Sequence, residues 1–386
     1  MGLRSMLVAV GLGTLWGGCK TGGLGKLPDS ANATAAFSPD GREIYVLQPH
    51  RMYVWDLAGK RIAQDRKVQQ DEAGIAFSPA GAYVALAAQN KDDRKALVSL
   101  IRARDGQTVL TRELLDAEAS SDRWYPRRTQ AILAATDDGR WLAAFRLDSR
   151  EVEIASVPDG RPALRTVVEG YFRSLAFNAA GDHLFVSSEA GPKKQTVMVL
   201  ASSGGKWASV ATLDGAFHPA WTAQGLAYAS DRGIEMWSPT HARILIPKDP
   251  QIDLRPDANE AWFRVSPDGT HCILWDVAGF SVRETGSGKT VVAQEVDANR
   301  TPAVWAVAFL PGKIRALLAT GDLVDVDLSA RSVSRRASFG RPGQYSRNWL
   351  QDGASWDPSY SALLSPDGRY VALYRKDSGY ELFATE

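Results

Sequence analysis

Three groups of residues in this chain are of types that could do chemistry, and their spacing decides what each can do. Gly286-Ser287-Gly288-Lys289-Thr290 matches the end of a phosphate-binding loop, in which backbone N–H groups cradle phosphate while the Lys and Thr side chains reach phosphate and metal. That loop requires a glycine where Arg283 stands and a helix after it, yet Val291-Val292-Ala293 continues in a strand pattern. The stretch reads as a turn between two strands. The histidines, His50, His183, His218, His241 and His271, fall one to a segment, none at metal-ligand spacing, and no Cys-x-x-Cys-His haem motif occurs. No Gly-x-Ser-x-Gly elbow presents a nucleophile. Most acidic residues fall in turns, where Asp serves the backbone. No constellation supports catalysis, so the expectation is a chain that is not an enzyme and holds no metal or cofactor.

The elements that would have to position any site are set by a repeat. Ala36-Phe37-Ser38-Pro39-Asp40-Gly41-Arg42-Glu43-Ile44-Tyr45-Val46 is two strands around a turn. Pro fixes φ early in the turn, Asp bonds its own backbone and Gly accepts φ > 0. Copies recur with turn glycines Gly41, Gly81, Gly139, Gly181, Gly225, Gly269, Gly312 and Gly368, so successive steps are 40, 58, 42, 44, 44, 43 and 56 residues. A period near 43 is that of a four-stranded propeller blade, and eight copies predict eight blades. The expected fold is all-β, an eight-bladed propeller of four-stranded antiparallel blades. Within a blade the third strand reads as Met52 to Leu57 in the first copy and Gly233 to Trp237 in the fifth.

The last copy has Tyr370 to Arg375 and Tyr380 to Phe383 but no outermost strand. Gly22 to Leu27 has nothing else to pair with, and is expected to complete that blade and close the ring, removing an exposed edge. Residues 36–386 then form the propeller and 20–35 the tether and closing strand. With 386 residues and 45% hydrophobic content, the chain can bury the core such a ring needs. Lys+Arg of 45 against Asp+Glu of 44 gives no general reason to expect nucleic acid as partner.

Residues 1–19 read as an export signal: one Arg, an apolar run from Ser5 to Trp16, and small residues before Cys19. Leu15-Trp16-Gly17-Gly18-Cys19 resembles the lipobox of bacterial lipoproteins, with the Leu one residue early. The resemblance implies a lipid on Cys19, and Lys20 after it favours the outer membrane. The same segment also fits an ordinary secretory signal, or an apolar N-terminus that is never processed. With Cys19 lipidated, Cys272 in His271-Cys272-Ile273-Leu274-Trp275 has no disulfide partner and reads as a small buried hydrophobe.

Trp55-Asp56 and the Ser-Pro-Asp-Gly turns resemble WD40-type repeats and those of TolB-like periplasmic propellers, over almost the whole chain after residue 35. The resemblance implies a fold and leaves the function open. No Gly-His dipeptide occurs, so the His-centred network of typical WD40 blades is not expected.

Two steps of the repeat are enlarged. One insertion, Thr111 to Gln130, carries Trp124, Tyr125, Arg127 and Arg128; the other, Gly340 to Ser359, carries Tyr345, Arg347, Trp349 and Trp356. Both join an outer strand to the next inner strand, so both emerge on one face, and loops that break a repeat are where binding concentrates. Trp, Tyr and Arg are the residues that anchor interfaces. The alternative is that the two insertions fold back as covers on the rim. The function read here is an exported, lipid-anchored scaffold of the bacterial cell envelope that binds a protein or an envelope polymer. The runner-up is an enzyme or cofactor-bearing propeller with its site in the central channel, marked by His, Arg or Asp converging at the channel mouth.

Overall fold

The computed structural model describes residues 23–28, 30, 33–48, 51–67, 72–90, 95–115, 133–146, 150–190, 195–248, 262–297, 302–340, 362–375 and 379–386. The turn that defines the repeat works as its residue types predict. In the first copy the Gly41 N–H donates to Ser38 O at 2.9 Å, Ser38 Oγ accepts from the Glu43 N–H at 3.0 Å, and Asp40 Oδ1 accepts from the Arg42 N–H at 3.1 Å. The same side-chain bonds recur at Thr136 and Asp138, at Ser266 and Asp268, and at Ser365 and Asp367. Gly41 has φ 70°, the left-handed region, and a Cβ there would stand 2.7 Å from the Asp367 carboxyl carbon of the neighbouring blade.

Each turn opens a four-stranded antiparallel sheet, and the described strands form eight such sheets. The innermost strands are Thr34–Phe37, Glu72–Phe77, Leu133–Ala135, Tyr171–Phe177, Phe217–Thr222, Trp262–Val265, Val304–Leu310 and Ala362–Leu364, in blades one to eight. The closing strand is where the missing strand of the last copy requires it. Gly23–Lys26 pairs antiparallel with Gly379–Ala384, with Gly23 opposite Phe383 and Lys26 opposite Glu381. The Leu27 N–H donates to Tyr380 O at 2.9 Å, the Tyr380 N–H donates to Ser30 Oγ at 2.7 Å, and the Tyr53 hydroxyl donates to Pro28 O at 2.7 Å. Blade eight is thus built from both ends of the described chain.

The core is divided among the blade interfaces. Eight apolar clusters each combine residues of two adjacent blades, from Tyr45 and Met52 against Val84 and Ile101 between blades one and two, to Leu27 and Ile44 against Ala372 and Leu382 between blades eight and one. A ring whose every interface is apolar has no open side, which accounts for closure. Cys272 is fully buried in the cluster between blades five and six, and burial pushes its thiol well above the ordinary range. It behaves as a small hydrophobe.

One interface is also polar. Arg315, on the second strand of blade seven and 2% exposed, donates to Asp325 Oδ1 at 2.6 Å and Oδ2 at 2.8 Å, and to Gly368 O at 2.7 Å and Thr385 Oγ1 at 3.0 Å in blade eight. Burial alone would raise the Asp325 carboxyl; the bonds from Arg315 and Lys313 outweigh it and hold the group below the ordinary aspartate value.

Candidate binding face and channel mouth

Strand direction assigns the two faces of the ring. Each innermost strand runs towards its Ser-Pro-Asp-Gly-type turn, so first-to-second and third-to-fourth strand turns share one face. Blade-to-blade connectors and second-to-third strand loops share the other. On the turn face several polar groups bond across neighbouring blades or within their own turns. Asp137 of blade three accepts from the Ala80 N–H of blade two at 2.9 and 2.8 Å, and the Ala223 N–H of blade five donates to Pro267 O of blade six at 2.8 Å. Asp56 of Trp55-Asp56 accepts from the N–H groups of Ala58 and Gly59 in its own turn. Gly286 to Lys289 lies on this face too. Its amides are already used: Gly286 donates to Leu245 O at 2.7 Å, Gly288 to Glu284 O at 3.0 Å and Lys289 to Ser287 Oγ at 3.1 Å. Those three amides are not free to cradle a phosphate.

The connector face is different. Both enlarged steps join an outer strand to an inner one, from Thr108–Leu115 to Leu133–Ala135 and from Ser332–Ser338 to Ala362–Leu364, so both insertions leave on this face. Trp124, Tyr125, Arg127, Arg128, Tyr345, Arg347, Trp349 and Trp356, like Cys19, lie outside the described residues. The strands Tyr83–Asn90 and Lys95–Arg102, paired Asn90 opposite Lys95, place the loop between them on the same face. Between blades three and four this face has a cavity of about 490 Å³ lined by Arg150, Val167, Val168, Glu169, Gly170 and Ala190, with Val167 60% exposed.

The innermost strands of blades four to six carry polar residues that the spacing of the sequence concealed. The residue five before the turn glycine is Ala in five blades, Val or Leu in two, and Arg264 in blade six. Arg264 is exposed between buried Phe263 and Val265, and an exposed side chain on an innermost strand has only the channel to face. The neighbouring inner strands add two more groups through bulges, which re-aim side chains. Pairing slips between Phe172 and Ser174, freeing Arg173, and between Phe217 and Ala220, freeing His218. His218 has φ 51° and precedes Pro219, although a residue before proline is ordinarily confined to extended backbone. A left-handed non-glycine of this kind costs about 1–3 kcal/mol and clusters at functional sites.

Burial, then the positive charges of Arg264 and Arg173, pull the His218 imidazole down to about 4 from its ordinary 6.5. The residue as a whole keeps an exposed surface. The ring stands edge-on to Phe217, with centroids 5.6 Å apart, and to Phe263 of blade six at 6.4 Å. At neutral pH it is therefore an uncharged imidazole, with one nitrogen to donate and one to accept. Arg173 Nε donates to Glu189 Oε2 at 2.7 Å, while Arg264 has no ion-pair partner among the described residues. Trp262, two residues before Arg264 and so on the same side of its strand, is half-buried beside it. The two arginines and the histidine come from copies of the repeat about 45 residues apart, so no local motif announces them.

No protein-family model matches the chain, and no curated protein matches it. Solved structures share its fold. The C-terminal WD40 domain of Sif2 is 13% identical with a TM-score of 0.62 over 94% of this chain and 98% of that one. The Cps50 (Swd1) β-propeller domain of Myceliophteria thermophila is 12% identical with a TM-score of 0.51 over 94% and 99%. The dihydro-heme d1 dehydrogenase NirN, in complex with DHE, is 14% identical with a TM-score of 0.58 over 92% of this chain and 71% of that one. Identities this low show the fold alone. They also correct the expectation that the chain is not an enzyme. A protein named as a dehydrogenase is built on the same ring, so the lack of a sequence-local motif excludes nothing. The physical reason is visible in the channel mouth, where a propeller assembles side chains from separate blades.

Proposed function

We propose that this protein is a binding scaffold of the bacterial cell envelope, exported, held by a lipid on Cys19, and engaging a protein partner through its connector face. The observation that carries this reading is the asymmetry between faces. Turns on one face bond across their seams, whereas both enlarged connectors, with their Trp, Tyr and Arg residues, leave from the opposite face. The fold itself, shared with the WD40 domain of Sif2, suits such a role.

Two experiments test it. Trp124→Ala combined with Trp349→Ala should abolish capture of a partner from envelope extracts, since anchor residues cost ~2 kcal/mol or more on truncation. The thermal transition should stay nearly unchanged. A lowered transition with capture intact would instead show the insertions to be rim covers. Replacing the lipid-bearing residue, Cys19→Ser, should move the protein from the membrane to the soluble fraction; a variant that sediments with membranes as the parent does would remove the anchor from the reading.

A further inference from the structure

The seam of blades five and six carries a cavity on the turn face, built without either insertion and so independent of the scaffold reading. It holds about 250 Å³ and is lined by Gln224 and Arg243 of blade five and by Gly269, Thr270, Thr285 and Gly286 of blade six. Gln224 joins the two walls. Its side-chain N–H donates across the seam to Asp268 O at 2.6 Å, and its carbonyl accepts from Arg243 Nη2. Both ends of the amide are thus fixed, and the guanidinium is held at the cavity. A Cβ on Gly269 would come 3.0 Å from the Gln224 side-chain amide, so glycine keeps this wall clear. Arg243 is exposed and makes no ion pair among the described residues, which leaves Nε and Nη1 to donate. Asp268, the carboxylate bonded into this group, is folded into its own turn, where Oδ1 accepts from Ser266 Oγ at 2.5 Å, the Thr270 N–H at 3.0 Å and Thr270 Oγ1 at 2.8 Å. The two threonine hydroxyls have already given their protons. Thr285 Oγ1 donates to Gly269 O at 2.6 Å, and Thr270 Oγ1 donates to Asp268 with His271 Nδ1 also 2.8 Å away. What each hydroxyl has left is a lone pair. The cavity therefore offers N–H donors on one wall and hydroxyl acceptors on the other.

We propose that this seam binds a polyol phosphate, its phosphate on Arg243 and its free hydroxyls donating to Thr270 Oγ1 and Thr285 Oγ1. A guanidinium fork matches phosphate oxygens, and each ligand hydroxyl supplies a proton that a threonine oxygen can accept. Inorganic phosphate satisfies only the first wall, and a neutral polyol only the second. The Gly286 N–H is bonded to Leu245 O at 2.7 Å, so the anion is held by side chains and not by a loop of amides. Free glycerol phosphate and the headgroup of a phosphatidylglycerol bilayer present the same chemistry to such a site.

The test uses the full chain carrying Cys19→Ser, so that no lipid on that residue contributes. Calorimetric titration with glycerol phosphate, inorganic phosphate and glycerol at fixed ionic strength is paired with sedimentation on vesicles of phosphatidylglycerol or phosphatidylcholine. Glycerol phosphate should bind saturably and more tightly than inorganic phosphate, and glycerol should not bind measurably. Arg243→Gln should weaken glycerol phosphate about tenfold or more, the loss expected for hydrogen bonds to a charged group. Thr285→Val should bring glycerol phosphate down to the affinity of inorganic phosphate and leave inorganic phosphate as in the parent, a split that general loss of structure would not give. Arg369→Ala, which removes a 67% exposed arginine of the turn face in blade eight, should bind as the parent does. Sedimentation with phosphatidylglycerol but not phosphatidylcholine, lost in Arg243→Gln, would assign the ligand to a lipid headgroup; saturable glycerol phosphate binding without vesicle binding would assign it to a soluble molecule. Inorganic phosphate bound as tightly as glycerol phosphate would overturn the polyol phosphate proposal. No saturable binding of glycerol phosphate or of phosphatidylglycerol vesicles, unchanged binding in Arg243→Gln, or equal loss in Arg369→Ala would overturn the site itself. None of these results depends on whether the insertions capture a partner.

Discussion

Asp325→Ala is expected to destabilise the ring by about 3–5 kcal/mol, the usual result of removing one member of a buried ion pair. Arg315 would keep its bonds to Gly368 O and Thr385 Oγ1, but its charge would be left without a counter-ion at a site where the side chain is 3% exposed. Lys313, 3.2 Å from the same carboxylate, would add to the uncompensated charge. The midpoint of guanidinium unfolding, at constant slope, measures the loss. The double replacement Arg315→Met with Asp325→Leu should recover most of it, since apolar residues of similar volume often replace such pairs without cost. The contribution also has a pH signature. The folded Asp325 carboxyl lies below its ordinary 3.8, so its stabilisation is complete above that value and is lost as the pH falls through the folded one. An Asp325→Ala variant as stable as the parent at neutral pH, or equally acid-sensitive, would show that Asp325 does not stabilise the buried Arg315 between blades seven and eight.

Leu27→Ala should have the next largest effect, about 2–5 kcal/mol for a leucine removed from a packed core. Leu27 is 2% exposed and packs with Ile44, Tyr380 and Leu382 at the interface that closes the ring. Its loss frees the closing strand, so the outer edge of Gly379–Ala384 becomes a template for another chain. Size-exclusion chromatography should therefore show self-association along with the lower unfolding midpoint. Leu24→Ala, in the same strand but only half-buried, should cost much less. Equal effects from the two would mean that ring closure does not depend on the Leu27 anchor.

The ring was legible in the sequence because its determinants are local and repeated. Ser38, Asp40 and Gly41 fold their own turn, and the same types recur at Ser266, Asp268 and Gly269. Even the closing strand could be inferred, since an incomplete last copy leaves an edge that something must cover. The channel mouth was not legible, for two reasons. Its residues come from separate blades, and the bulges at Arg173 and His218 shift the facing of a strand by a residue without changing the step between turn glycines. A histidine standing alone before Pro219 looks like a scattered surface residue until strand register places it. The Arg315 to Asp325 pair was hidden similarly. Both residues sit in ordinary strand patterns, and only pairing of the second and third strands of blade seven brings them opposite each other.

The direction of the closing strand sets how the molecule would stand on a bilayer. As the outermost strand of blade eight it begins at the turn face and ends at the connector face, with Gly23 opposite Phe383 near the end of the third strand. Cys19 precedes Gly23 by four residues, a span of at most about 14 Å when fully extended. A diacylglyceryl group on Cys19 would therefore draw the rim of the turn face down to the lipid headgroups. The connector face, from which both insertions leave, would then look away from the leaflet, toward the aqueous compartment.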